Sequence, residues 1–187
     1  MSELLLYTAQ SPVVLEALGR DGVERVKREY VDRKYGQSAW SFQEAYSFFR
    51  AEAERRIPRP EGAESPIWLY CDSRWCFMGP DSLLMSFRVP EEKVIFFDRR
   101  LWERVLNLEY IGEDAADEAR FEAELRSMGV NDCRKVFSCG FYPLQKRKVR
   151  ESWKRLFSSG GCETAVRQAA VWELRSEWLV DVKGPEL

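Results

Sequence analysis

Residues 83–107, LLMSFRVPEEKVIFFDRRLWERVLN, read as strand, turn, strand and helix in immediate succession. Between Ser82 and Val89, Leu84, Ser86 and Arg88 alternate with Leu83, Met85 and Phe87, the period of two that marks a strand. Pro90-Glu91-Glu92 turns the chain, and Val94 to Phe97 forms a second strand. Asp98 then stands where a helix N-cap is wanted, ahead of Leu101, Trp102, Val105 and Leu106 on one helical face.

Working outward, Leu4 to Thr8 reads as the first strand. Ser11-Pro12 opens a short helix that Gly19 or Gly22 closes. Val23 to Lys27 reads as another strand, followed by a charged loop through Gly36. Ser41-Phe-Gln-Glu44 has the form of a capping box, opening a helix that Ile57-Pro58-Arg59-Pro60 stops near Arg56. Pro66 to Cys71 reads as a strand, with Trp75 to Phe77 pairing to it through an Asp72-Ser73-Arg74 turn.

Beyond the central unit, Asp114 to Met128 is a charged helix ended by Gly129, and Asn131 to Pro143 takes no assignment. Gln145 to Phe157 is an amphipathic helix, Ser158 to Cys162 a loop, Arg167 to Leu174 a last strand, and Trp178 to Val182 a short apolar tail. Helices and strands intermix without regular alternation. This predicts one α+β domain over residues 1–187, with a mixed or mostly antiparallel sheet and several packed helices.

Composition narrows the chemistry. Hydrophobic residues make up 45% of the chain, enough for a sizeable core, and 29 Lys plus Arg against 31 Asp plus Glu give a net charge of −2. That balance points neither to a generic nucleic-acid binder nor to a membrane-surface protein. With no apolar run long enough to span a bilayer, and no secretory pattern at Met1 to Tyr7, a cytoplasmic protein is expected. Five cysteines, an odd number, suit reduced thiols. There is no histidine, which removes Ser-His and Cys-His nucleophiles and every His-containing zinc site. Cys71, Cys76, Cys133 and Cys139 have spacings looser than a zinc knuckle, so no metal is expected.

A set of short motifs carries a family resemblance. It comprises Leu6-Tyr7-Thr8-Ala9-Gln10 with Gly22, Ala45-Tyr46, Pro66-Ile67-Trp68, the central VPEEKV unit through Asn107, Ser152-Trp153 with Phe157, and Gln168-Ala169 through Trp172-Glu173-Leu174 to Glu177-Trp178. In this order they resemble the bacterial domain-of-unknown-function family 3841, which implies a small single-domain protein and no established activity. Tyr7 stands where the family usually has Trp, and Phe97-Asp98 where it usually has Ser-Asp.

A more distant likeness is to the ADP-ribosyltransferase superfamily. It rests on Tyr7-Thr8-x-Gln10 running through a helix to Gly22, and on Glu173 late in the chain. The Arg or His usual on the first strand is replaced by Thr8 and Gln10. This likeness implies NAD as cofactor, Glu173 as the carboxylate beside a ribosyl cation-like transition state, and Tyr7, Thr8, Gln10, Tyr46 and Gln168 around the dinucleotide. The plainer reading makes Glu173 a strand residue, Thr8 and Gln10 a strand end, and the aromatic residues core. The competing function is a non-catalytic module that holds a nucleic acid or protein in an aromatic groove or on the basic helix of Lys146, Arg147, Lys148 and Arg150. Such a run is also what a solvated face, or a counterweight to the acidic Glu113 to Glu124 segment, looks like.

Overall fold

The computed structural model describes residues 2–27, 39–158 and 166–184. The expected loops through Gly36 and around Cys162 lie largely or wholly outside those residues. The architecture is α+β. Strands β1 (Glu3–Gln10), β3 (Ile67–Tyr70), β4 (Leu83–Pro90), β5 (Ile95–Asp98), β6 (Arg167–Val171) and β8 (Leu179–Lys183) form one sheet in the order β5-β6-β3-β1-β4-β8. Each neighbouring pair is antiparallel. A small second sheet joins β2 (Val23–Glu24) to β7 (Leu174–Arg175).

The local signals of the central unit hold. Asp98 accepts from the backbone N–H of Arg100 (2.8 Å) and Leu101 (3.3 Å), and so starts helix α3 (Arg99–Leu106). At the other end of the fold, Pro12 opens α1 (Pro12–Asp21), and Gly22 closes it at φ 73°, a left-handed conformation that glycine adopts without strain.

The two strands of the central unit do not pair, however; β6, β3 and β1 lie between them. On a flat sheet β4 and β5 would be four spacings, roughly 19 Å, apart. The five steps from Pro90 to Ile95 reach about 18 Å at full extension, and Glu91–Lys93 is coiled into a 3-10 turn. The sheet therefore cannot be flat. Its most sparsely paired seam is β1 against β3, where Tyr7↔Tyr70 is the sole paired register. That seam divides the sheet into two three-stranded halves, β5-β6-β3 and β1-β4-β8. Leu6, Met85, Phe87 and Val89 of one half share a core with Ile67, Leu69, Ala169 and Val171 of the other.

The opposite face of the β5-β6-β3 half is covered by helices α2 (Ala39–Arg56), α3, α4 (Ala115–Ser127), α5 (Lys135–Ser138) and α6 (Pro143–Ser152). Phe49, Trp68, Phe97 and Trp102 form an edge-on aromatic cluster there, with centroids 4.7–6.4 Å apart. Three polar anchors fix this layer. Trp153 Nε1 donates to Glu109 O (2.7 Å), Ile111 N–H donates to the buried Ser152 hydroxyl (3.0 Å), and Trp172 Nε1 donates to Ile57 O (2.9 Å).

Several expectations are corrected. The helix expected to begin at Ser41 is already helical at Ala39, and Glu44 binds Lys146 and Arg150. Trp75 to Phe77 is not a strand: Asp72 caps a 3-10 turn, Ser73–Trp75, and β3 pairs with β1 and β6. The stretch Arg167 to Leu174 breaks after Val171, because the chain leaves β6 to pair β7 with β2. The apolar tail at Trp178 to Val182 is the edge strand β8, which hydrogen-bonds β4.

Candidate functional site

Cross-strand neighbours in an antiparallel sheet point to the same face, so the registers locate side chains directly. At one level the pairs Asp181↔Ser86, Ser86↔Tyr7, Tyr7↔Tyr70, Tyr70↔Gln168 and Gln168↔Phe97 make a single row across all six strands. Phe97 is buried under the helices at one end, and the other end is open. The seam between the half-sheets falls inside this row, at Tyr7 and Tyr70, both half-buried.

Gln168 is 6% exposed, and its side-chain amide hydrogen-bonds the Tyr70 phenol. Burial raises the Tyr70 pKa and the neighbouring Cys76 adds to this, while Arg99 and Gln168 pull the other way. The phenol therefore stays protonated at neutral pH, able both to donate and to accept. Burial also pushes the Cys76 thiol up to about 11, which makes it inert rather than nucleophilic. Arg99 lies just past β5. Its N–H donates to Val166 O (2.9 Å), and alternation from Phe97 puts it on the face of Tyr70 and Gln168.

The residues singled out in the sequence divide into four places. Tyr7 and Gln168 share the row. Thr8 is one residue out of phase and so points to the opposite face of the sheet, the face of Leu6, 3% exposed, where its Oγ1 accepts from Gln10 Nε2 at 2.9 Å. Tyr46 is on α2, packed against Trp68 and Trp102, and its hydroxyl accepts from Trp68 Nε1 at 3.4 Å.

Glu173 lies beyond the far end of β6, in the break before β7. Its carboxylate takes Arg25 Nε (2.8 Å) on one oxygen and Arg175 Nε (2.7 Å) on the other. Burial pushes the Glu173 carboxyl up, and the bonds and charges of Arg175 and Arg25 more than offset that, holding it below the ordinary glutamate range. The pair ties the small β2–β7 sheet together.

The basic helix is equally engaged. Lys146 and Arg150 meet Glu44, Lys148 meets Glu124 (2.6 Å), Lys154 meets Glu151 (2.6 Å), and Arg155 meets Glu113 (2.6 Å). Arg147 extends beside Glu151. Of the run, Lys148 and Arg155 bind the acidic Glu113 to Glu124 segment, while Lys146 and Arg150 bind Glu44 on α2. A cleft of about 400 Å³ opens beside α4, between Arg104, Tyr110, Phe121 and Val130. It shares no residue with the row, and Arg104 within it already binds Glu109, Glu118 and Tyr110 O. Among the described residues no three of Cys, Asp or Glu gather as a metal site, and no helix is long and apolar enough to cross a membrane.

Tyr70 and Arg99 drew no notice in the sequence. Each becomes visible only through register, since Tyr70 reads simply as the end of a strand and Arg99 as the start of a helix.

The model of a domain of unknown function, DUF3841, matches residues 5–180, and the chain belongs to that family. No curated protein and no solved structure matches it.

Proposed function

We propose that the protein is a cytoplasmic, ADP-ribosyltransferase-like enzyme that binds NAD at the seam of its split sheet and transfers the ADP-ribosyl group to an acceptor nucleophile, releasing nicotinamide. The observation that carries this reading is the Tyr7–Tyr70–Gln168 row: two half-buried phenols on sparsely paired strands, one of them flanked by a buried amide. Phenol rings offer a stacking surface to a nicotinamide ring, and their hydroxyls match the donors and acceptors of a carboxamide. The likeness to the superfamily asks for a Glu or Gln on a late strand. Gln168 meets that better than Glu173, because it sits on β6 beside the row, while Glu173 is saturated by two arginines in the break beyond it.

The row contains no carboxylate at its centre. Positive charge developing on the ribosyl carbon would meet oxygen dipoles of Tyr70 and the Gln168 amide rather than a full negative charge, so turnover is expected to be slow. Purified protein incubated with labelled NAD and cell lysate tests this. Label transfer or nicotinamide release that is lost in Tyr70→Phe and Gln168→Ala, and kept in a folded Glu173→Gln, supports the reading. Absence of both turnover and NAD binding in the wild type removes it.

A further inference from the structure

We infer that Arg99, stacked on Trp75 beside the Tyr70–Gln168 row, forms a phosphate subsite shaped for the diphosphate of a dinucleotide. The identity of the ligand rests on the NAD reading above; the anion preference rests on the arginine's own surroundings.

Arg99 is half-buried, and its Cζ lies 4.9 Å from the centroid of the Trp75 ring. An indole face attracts a guanidinium held over it without using up the guanidinium's N–H donors. Its Nε is buried and has no acceptor among the described residues. A buried cationic donor left without an acceptor is costly. With Nε enclosed, the terminal Nη groups of this half-buried side chain are the ones left to meet a phosphate oxygen. The nearest carboxylate along the chain does not fill that role: Asp98 is committed to the first turn of α3 and to Arg100, at 3.0 Å. The other arginines around this end of the fold contrast with Arg99. Arg74 is paired with Asp72, and Arg167 lies over Phe96 on the opposite face of the sheet, its Cζ 3.6 Å from that ring's centroid. Arg99 alone among these combines the row's face, an aromatic bed and an unsatisfied buried donor. Its charge reaches the Tyr70 phenol, whose proton it makes easier to lose. Both lie on the same face of the sheet, so one ligand spanning them would set its ring at the tyrosines and its phosphates at the arginine.

Titration calorimetry of inorganic pyrophosphate, ADP-ribose and nicotinamide into wild type, Arg99→Met and Arg99→Lys tests the subsite, with circular dichroism confirming the fold. Arg99→Met is expected to weaken ADP-ribose and pyrophosphate roughly 10- to 100-fold and leave nicotinamide unchanged, with Arg99→Lys between. ADP-ribose binding indifferent to Arg99 would overturn the subsite and leave the NAD reading standing. Pyrophosphate binding that depends on Arg99, without ADP-ribose or nicotinamide binding, would keep the subsite and remove the dinucleotide. Binding of none of the three overturns both.

Discussion

Gln168 lies near the start of β6 and Glu173 just beyond its end, five residues apart and equally shielded at 6% exposure. One is a neutral amide whose hydrogen bond steadies a half-buried phenol at a seam in the sheet. The other is a charged carboxylate whose two oxygens are each taken by an arginine. The difference teaches that a buried acid late in a chain is not a functional residue by virtue of its charge. What matters is whether its hydrogen-bonding capacity is spent inside the fold. Glu173 closes the β2–β7 sheet, and Gln168 supports a group that still faces outward.

The sharpest way to break this contrast is to remove the phenol ring. Tyr70→Ala is expected to cost about 1–3 kcal/mol of NAD affinity, the usual worth of one aromatic stacking partner, and to lower stability by about 1–3 kcal/mol as the buried Gln168 amide loses its partner. A titration of NAD against both proteins checks it.

At the other end of β6 the effect on NAD affinity should disappear. Glu173→Gln is expected to lower stability by about 1–2 kcal/mol, since Arg25 and Arg175 lose their countercharge but remain partly solvated, and to leave NAD affinity intact. Urea denaturation beside the same titration reads both numbers. Acid sharpens the point further. The Glu173 carboxyl is held below its unfolded value, so its contribution is complete above the ordinary glutamate pKa of about 4.3 and is lost as pH falls toward the folded value. The stability gap between wild type and Glu173→Gln should therefore close as the pH is taken down from about 5. A gap that persists in acid would show that the ion pairs are not its source.

The smallest effect is expected on the helical layer. Reversing Lys148 to Glu breaks its pair with Glu124, an exposed contact worth at most about 1 kcal/mol, and should leave neither a nucleic-acid retention to lose nor any change at the seam. Salt-dependent retention of the wild type on a nucleic-acid column, abolished by the reversal, would restore that helix as a binding surface.

What the sequence revealed follows the range of the interactions. Asp98 as a cap, Pro12 and Gly22 as the two ends of α1, and the alternating 82–89 strand depend on residues within a turn or two of one another. These could be read directly. The α+β class with an antiparallel sheet was legible for the same reason. The wide separation of β4 and β5, the strand character of Leu179–Lys183 and the break after Val171 are set by which strands pair across the molecule. Linear spacing does not encode those choices. The candidate site suffers most, because it consists of a register: Tyr7 and Gln168 could be named individually, but their row with Tyr70, and the turning of Thr8 to the opposite face, exist only once Tyr7 pairs with Tyr70. Ser41 shows the converse. A well-formed local motif did not mark the helix start, since the chain is already helical at Ala39, and Glu44 pairs with two basic residues on α6.

The most direct measurement is a calorimetric titration of NAD into wild type, Tyr70→Ala and Glu173→Gln under one buffer. Saturable binding to wild type and to Glu173→Gln, weakened at least about fivefold in Tyr70→Ala, is the expected result. Binding that survives Tyr70→Ala but is lost in a folded Glu173→Gln would contradict it and move the site to the other end of β6.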